Sequence, residues 1–180
     1  MNDDEGLWIR TEPTLDGKAF VVTLSIDQDF AVTLTPTRAL AYASALLAAV
    51  ADAEYDAAIL GQLTGRRLGL AIATASQLIV DMRAERPTRT ASGLTFVPGV
   101  SRRAQHPFII LEREGKSIAQ LEVSSARRHA MHVLEAPTGA DLDAAYLKVL
   151  RGQVGLDENV ARSVVEDIVH HRVEWAVADE

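Results

Sequence analysis

Short apolar segments separated by polar residues open the chain and are followed by a long apolar stretch. The short segments cover residues 7–11, 19–26 and 30–34 and are rich in the β-branched and aromatic residues that favour strands. The polar residues 27–29 separate the last two and predict the loop of an antiparallel hairpin. The N-terminal part is therefore predicted to form three strands.

A helix is predicted to follow the third strand. Thr35 can cap its N-terminus, and Pro36 fits the first helical position because no backbone N–H is needed there. Apolar residues occupy nearly the whole helix circumference over residues 39–51, which indicates packing on more than one side. Two further helical segments are predicted over residues 55–63 and 70–86.

The second half of the chain presents the same order of elements. Strands are predicted over residues 94–97, 108–112 and 118–123, and Gly115 suits the turn between the last two. A helix follows, and Pro137 is expected to break it into two segments, because proline removes a backbone hydrogen bond from a helix interior.

Two segments complete this pattern. Residues 86–92 are polar and contain Pro87, so they are predicted to be the linker between the two halves. The last helix is predicted over residues 157–175, with Asp157 as its N-cap.

The two halves align with one another when the sequence is shifted by 87 residues. Between Gly6 and Gly65 this shift gives 15 identities in 60 positions, and they fall on apolar positions and turn glycines. A shift of 86 continues the alignment and pairs Arg86 with Arg172. The period is longer than that of solenoid repeats, so two domain-sized copies are predicted.

The chain is predicted to be an α+β protein formed by tandem duplication of a β-β-β-α-α-α unit. The first repeat covers residues 1–88 and the second residues 89–180, and together they are expected to form one compact body with pseudo-twofold symmetry. Helices are expected to cover antiparallel sheets, either one sheet per repeat or a joint six-stranded sheet. Eight matched leucines are expected to be buried: Leu24, Leu34, Leu47, Leu60, Leu111, Leu121, Leu134 and Leu147.

Composition and charge narrow the range of functions. The hydrophobic content of 48% excludes wholesale disorder, and the net charge of -7 opposes binding to nucleic acid or anionic lipid. The chain has no cysteine, which excludes disulfides and thiol chemistry, and its first residues lack a secretory pattern. The longest charge-free helical runs contain 13 residues, fewer than a membrane span needs. A cytoplasmic protein without a membrane partner is predicted.

Histidines form the pattern closest to a metal site. His129, His132 and Glu135 lie at helical spacing on one face, and His170 and His171 lie on another helix. Charged neighbours make a solvated helix face the stronger interpretation, so neither a metal nor a cofactor is predicted.

No catalytic residues are predicted. The glycine-rich segment 61–69 lacks the spacing of a phosphate-binding loop and follows a helix, so its glycines are interpreted as helix-end and turn residues. The sequence also lacks the G-x-S-x-G pattern of a nucleophile elbow.

Arginine doublets are the strongest candidates for contacts with a ligand or partner. Three occur, at residues 66–67, 102–103 and 127–128. The last two doublets lie in the second repeat and would form a basic patch suited to phosphate if they converge. The candidate contacts to phosphate or to a protein partner are Arg102, Arg103, Arg127 and Arg128.

One resemblance adds to this interpretation. The hairpin, followed by Thr35, Pro36 and an Ala/Leu-rich helix through Glu54, resembles a pattern of small uncharacterised actinobacterial and actinophage proteins. Arginine far outnumbers lysine, which is typical of such high-GC genomes. The second repeat departs from the pattern at Val123 and Ser124. The resemblance implies an origin and no activity.

Three functions follow, in order of preference. The first is a non-catalytic binding or regulatory module of an actinobacterium or its phage, contacting a protein partner through the groove between the repeats. Duplication favours this function because it creates such a groove and lets one copy diverge. The alternative is a nucleic-acid-binding regulator that uses the arginine doublets, and the third is an enzyme with its site at the repeat interface.

Overall fold

The computed structural model describes residues 7–14, 19–26, 30–101 and 105–178. Within them the protein is a mixed α+β fold with two antiparallel sheets and four helices. The elements are β1 (Leu7–Pro13), β2 (Phe20–Ile26), β3 (Phe30–Leu34), α1 (Pro36–Thr64), α2 (Ile72–Ala84), β4 (Arg89–Ala91), β5 (Leu94–Val100), β6 (Pro107–Arg113), β7 (Lys116–Glu122), α3 (Val123–Gly152) and α4 (Glu158–Ala178).

The chain divides into two compact units that do not follow its two halves. The first unit contains Leu40–Val133, and the second joins Gly6–Ala39 to Leu134–Glu180. Each unit therefore combines a sheet from one half of the sequence with helices from the other half. The predicted repeat boundary at residue 88 is a separate property of the sequence and stays a prediction.

The sheet of the second unit is the three-stranded meander β1-β2-β3. Its central strand pairs Val22 with Leu34, and both side chains are buried. A core cluster brings β2 together with α3 and α4, which places the apolar face of the sheet against helices. Its buried members are Phe20, Ala140, Leu147, Ala161 and Val165.

The sheet of the first unit has the order β4-β5-β6-β7. Its two-residue turn at Glu114 and Gly115 has φ values of 52° and 74°, which confirms the predicted turn. A second turn of this kind, at Ser92 and Gly93, joins β4 to β5. The predicted linker 86–92 is therefore wrong in part, because this turn folds residues 89–91 back onto the sheet as a short edge strand.

Helix α3 continues through Pro137, so the predicted break is wrong. Pro137 is buried, and Val133 and Ala140, which lie on the same helix face, are buried with it. Their packing maintains the helical conformation although proline removes one backbone hydrogen bond. Because α1 is also continuous, each half of the sequence contributes two helices, and the predicted three-helix unit is corrected to two.

Both predicted N-caps are confirmed. The Thr35 hydroxyl accepts a hydrogen bond from the Arg38 N–H at 3.4 Å, and the Asp157 carboxylate accepts one from the Asn159 N–H at 2.9 Å. Helix α1 ends just before Gly65, as expected for a helix-end glycine.

The predicted core leucines support the assigned register. None of the eight is exposed, and five are buried: Leu24, Leu34, Leu60, Leu111 and Leu147. The remaining three, Leu47, Leu121 and Leu134, are partly buried. Among the described helices, none is long and apolar enough to cross a membrane.

Candidate functional site

The first unit contains a cluster of charged side chains around a fully buried aspartate on α1. Asp56 is 0% exposed, and its Oδ2 accepts a hydrogen bond from Arg83 Nε on α2. Arg86 Nη2 lies 2.8 Å from Asp56 Oδ1 and forms an ion pair with it. Two guanidinium groups thus compensate the carboxylate that α1 carries into the interior.

A second aspartate extends this cluster by one helical turn. Asp52 Oδ2 accepts a hydrogen bond of 2.9 Å from Arg89 Nε on β4, and Asp52 Oδ1 lies 3.8 Å from Arg86 Nη1. The Arg86 guanidinium also lies 5.6 Å from the centre of the Tyr55 ring. The cluster therefore connects α1, α2 and the edge strand β4 through charged groups.

A cavity of about 160 Å³ adjoins the cluster, between the arginines and strand β5. Three arginines and one of the two aspartates line it: Arg83, Arg86, Arg89 and Asp52. Each of the three guanidinium groups already contacts a carboxylate of Asp52 or Asp56. We therefore assign the cluster a structural role, in which it fixes α2 and β4 against α1.

A buried aromatic pair joins α1 to α3 within the first unit. The Tyr42 hydroxyl and His129 Nε2 share a hydrogen bond of 3.1 Å, and the Tyr42 ring packs edge-on against Phe96. Burial and, to a lesser extent, the charge of the nearby His132 together lower the pKa of His129 to about 4. Burial raises the pKa of Tyr42. Both groups are therefore neutral near pH 7 and serve as each other's polar partner.

The predicted histidine pattern does not lie on one solvated face. His129 is 5% exposed, whereas His132 and Glu135 are exposed. Among the described residues, no three His, Asp or Glu side chains are grouped as metal ligands. His170 and His171 belong to α4, but their side chains lie outside the described part of the structure.

The predicted basic patch is described only in part. Arg102 and Arg103 lie outside the described residues. Arg127 Nη2 is 2.7 Å from Glu54 Oε2, so its charge is paired with an acid on α1. Arg128 is exposed on α3. The convergence of these four arginines stays a prediction.

The outer face of α3 in the second unit carries apolar side chains that the protein leaves in solvent. Leu142 and Tyr146 are each 48% exposed, and Val149 is 41% exposed. Their spacing of four and three residues places them on one side of the helix. Asp143 and Leu147, on the opposite side, are 0% and 5% exposed. We call Leu142, Ala145, Tyr146 and Val149 the α3 outer face.

Sequence reasoning missed this face. The spacing of Leu142, Tyr146 and Val149 was available, but an apolar stripe alone does not tell whether it points to the core or to solvent. The structure makes the distinction because the buried stripe of the same helix runs through Asp143 and Leu147.

An open cleft of about 760 Å³ lies beside this face, where α3 meets the start of α4. Two charged side chains that line it, Arg151 and Glu158, form an ion pair of 3.1 Å, and Glu158 Oε1 also lies 3.2 Å from Arg162 Nη2. Asp157 already caps α4 there, so this helix end does not favour an anion.

Comparisons with known proteins suggest no function for this chain. No protein-family model, no curated protein and no solved structure matches the chain. The α3 outer face and the two buried polar clusters of the first unit are therefore interpreted from their own chemistry.

Proposed function

We propose that this chain is a non-catalytic protein-binding module whose contact surface is the α3 outer face. The observation that carries the proposal is the run of three large apolar side chains, each exposed by more than two fifths, on the side of α3 opposite its buried stripe. Contiguous exposed apolar surface of this kind is typical of protein interaction sites.

The energetics favour a helical partner. Full burial of a Leu, Tyr or Val side chain contributes roughly 1.5 to 3 kcal/mol, and about half of each side chain is still exposed, so each could contribute on the order of 1 kcal/mol on binding. Anchors spaced four and three residues apart suit a partner helix or a groove that receives α3.

The polar groups of the first unit support a non-catalytic role. Tyr42 and His129 satisfy one another in the interior, and the acids of the charged cluster are paired with arginines. These groups connect helices and strands, and the proposal assigns them to stability. The groove between the repeats, expected from the sequence, stays a prediction.

We also propose that the chain arose by tandem duplication. The bounds of the elements support this, because β5 and β6 begin and end 87 residues after β1 and β2. Helix α3 begins 87 residues after α1, and α4 begins 86 residues after α2. The buried aspartates Asp56 and Asp143 are also 87 residues apart.

We propose pseudo-twofold symmetry between the repeats on the basis of one contact. Tyr42 and His129 occupy positions 87 residues apart and share a hydrogen bond. Matched residues of two copies contact one another where they lie close to a twofold axis, as in an isologous interface. On the outer faces the repeats differ, since Tyr55, Ile59 and Gln62 stand where the second repeat has the α3 anchors.

Photo-cross-linking tests the proposed function. A photoreactive amino acid placed at Leu142 should form adducts in an extract of the cells that make the protein, because this position would lie inside the interface. The control carries the same group at Glu166, an exposed polar position on α4. Val149→Lys should remove the Leu142 adducts. Equal labelling from both positions, or adducts that persist with Val149→Lys, would contradict the proposal.

A further inference from the structure

Building on the proposed function, we infer that the partner of the α3 outer face is a second copy of this chain, packed as an antiparallel helix pair centred near Ala145. Two features of α3 lead to this inference. One is the heptad spacing of its exposed apolar and small residues, and the other is the order of the charges beside them.

The apolar spacing fits a short two-helix seam. Leu142 and Val149 are seven residues apart, and Ala145 and Gly152 lie three residues after each. All four are exposed. In heptad notation the first pair occupies a positions and the second pair occupies d positions. In the pair centred near Ala145, Leu142 packs against the small Ala145 of the partner subunit, so the helix backbones approach closely, and Val149 and Gly152 extend the seam at its ends.

The charges determine the orientation. Asp141 and Lys148 each precede an a residue, so both occupy g positions, and both are exposed. In an antiparallel pair, g positions face g positions. Asp141 of each copy would then lie beside Lys148 of the partner subunit, which gives two opposite-charge pairs. In a parallel pair, g positions face e positions, where Tyr146 and Gln153 offer no opposite charge.

The corresponding part of α1 lacks this self-complementary pattern. Positions 87 residues earlier carry Glu54 and Gly61 in place of Asp141 and Lys148. Glu54 is paired with Arg127 within the same unit. Helix α1 thus carries no second charge of opposite sign at the position of Lys148, so two α1 helices could not form the two charge pairs that two α3 helices form.

The seam spans about three helical turns, so it buries less surface than the interface of a permanent dimer. We therefore expect a reversible dimer with a dissociation constant on the order of 10 µM, set mainly by the a residues and by the charge pairs. The orientation is tested by the charges, because they are exposed and their replacement should leave the fold intact.

Sedimentation equilibrium on the purified protein, over a roughly 100-fold range of concentration, measures the dimer. Lys148→Asp and Asp141→Lys should each weaken it by about tenfold, because each places like charges together at two sites. The double variant Asp141→Lys/Lys148→Asp should restore it to within about threefold of the wild type. Circular dichroism confirms that each variant is folded.

A wild type that stays monomeric throughout, or single variants that dimerise like the wild type, would overturn the inference. The Leu142 cross-link separates this result from a failure of the proposed function. Adducts of twice the mass of the chain support both. Adducts of another mass, formed by a monomeric protein, overturn the second-copy partner and retain a protein-binding surface. Absence of specific adducts together with a monomer overturns both.

Discussion

Helices α1 and α3 have nearly equal lengths, 29 and 30 residues, and bury an aspartate at corresponding positions, yet their outer faces differ. The buried sides are similar because close packing accepts few alternatives: Ala39, Ala43 and Ala53 are fully buried, and so are Ala126, Ala130 and Ala140. The outer sides are free of that constraint. At matched positions α3 exposes Leu142, Tyr146 and Val149, whereas α1 exposes Tyr55 and Gln62 and leaves Ile59 partly buried. A function that distinguishes the two helices should therefore reside on the outer face with more exposed apolar side chains.

The two buried aspartates differ in their surroundings as well. Asp56 contacts Arg83 and Arg86, whereas Asp143 accepts a hydrogen bond of 3.0 Å from the Thr11 hydroxyl on β1. The same residue type therefore connects α1 to another helix in the first unit and α3 to a sheet in the second. Both helices carry a buried aspartate, and the elements packed against each helix determine which residues the aspartate contacts.

Breaking the charged cluster should give the largest effect. Asp56→Ala removes the carboxylate between two partly buried guanidinium groups, and we expect the free energy of unfolding to fall by about 3 to 5 kcal/mol. Chemical denaturation measures this loss. The control Asp167→Ala, at an exposed position on α4, should change stability by no more than about 0.5 kcal/mol. Similar losses in the two variants would contradict the structural role of the cluster.

Acid should weaken the contact between α1 and α3 through His129. Its pKa is about 4 in the folded protein against an ordinary value of 6.5, so the unfolded chain binds the proton more readily between these values. The free energy of unfolding is therefore highest, as far as His129 is concerned, above pH 6.5. It falls as the pH is lowered toward 4, by about 3 kcal/mol in all.

Urea unfolding at a series of pH values tests this expectation. His129→Phe removes the titrating group, so the difference in stability between the wild type and this variant should shrink as the pH falls from 7 to 4. Carboxylate titrations are common to both proteins and cancel in the difference. Parallel pH profiles would show that His129 is not held neutral by burial.

A smaller effect is expected at Gly61 on α1, which aligns with Lys148 on α3. A Cβ at this position would meet nothing within 4 Å, so Gly61→Ala should stabilise the helix by about 0.5 to 1 kcal/mol. Gly115→Ala is the control, because its φ of 74° strains any other residue and should make that variant less stable. Thermal unfolding that moves both variants in the same direction would contradict this distinction.

Local sequence signals predicted much of the fold. The strands and the starts of α1 and α4 follow from apolar periodicity, turn residues and the caps Thr35 and Asp157. The edge strand β4 was missed because a three-residue strand carries too little pattern. The break at Pro137 was predicted wrongly because tertiary packing outweighed the local preference of proline.

The candidate sites were harder to predict, since they depend on contacts between distant residues. Asp56 and Arg83 are 27 residues apart, and no local pattern pairs them. Tyr42 and His129 are matched by the 87-residue shift, but that match alone does not predict that the two side chains meet. For the α3 outer face, the sequence contained the spacing but not the direction in which it points.

A thiol placed in the seam tests the α3 outer face most directly. The chain has no cysteine, so Ala145→Cys introduces a single thiol at the centre of the inferred helix pair. Its matched control is Ala58→Cys, at the exposed position 87 residues earlier on α1. Under mild oxidation we expect Ala145→Cys to form a disulfide-linked dimer that Lys148→Asp suppresses, and Ala58→Cys to remain monomeric. Equal cross-linking of the two thiols, or none in either, would contradict the inferred helix pair on α3.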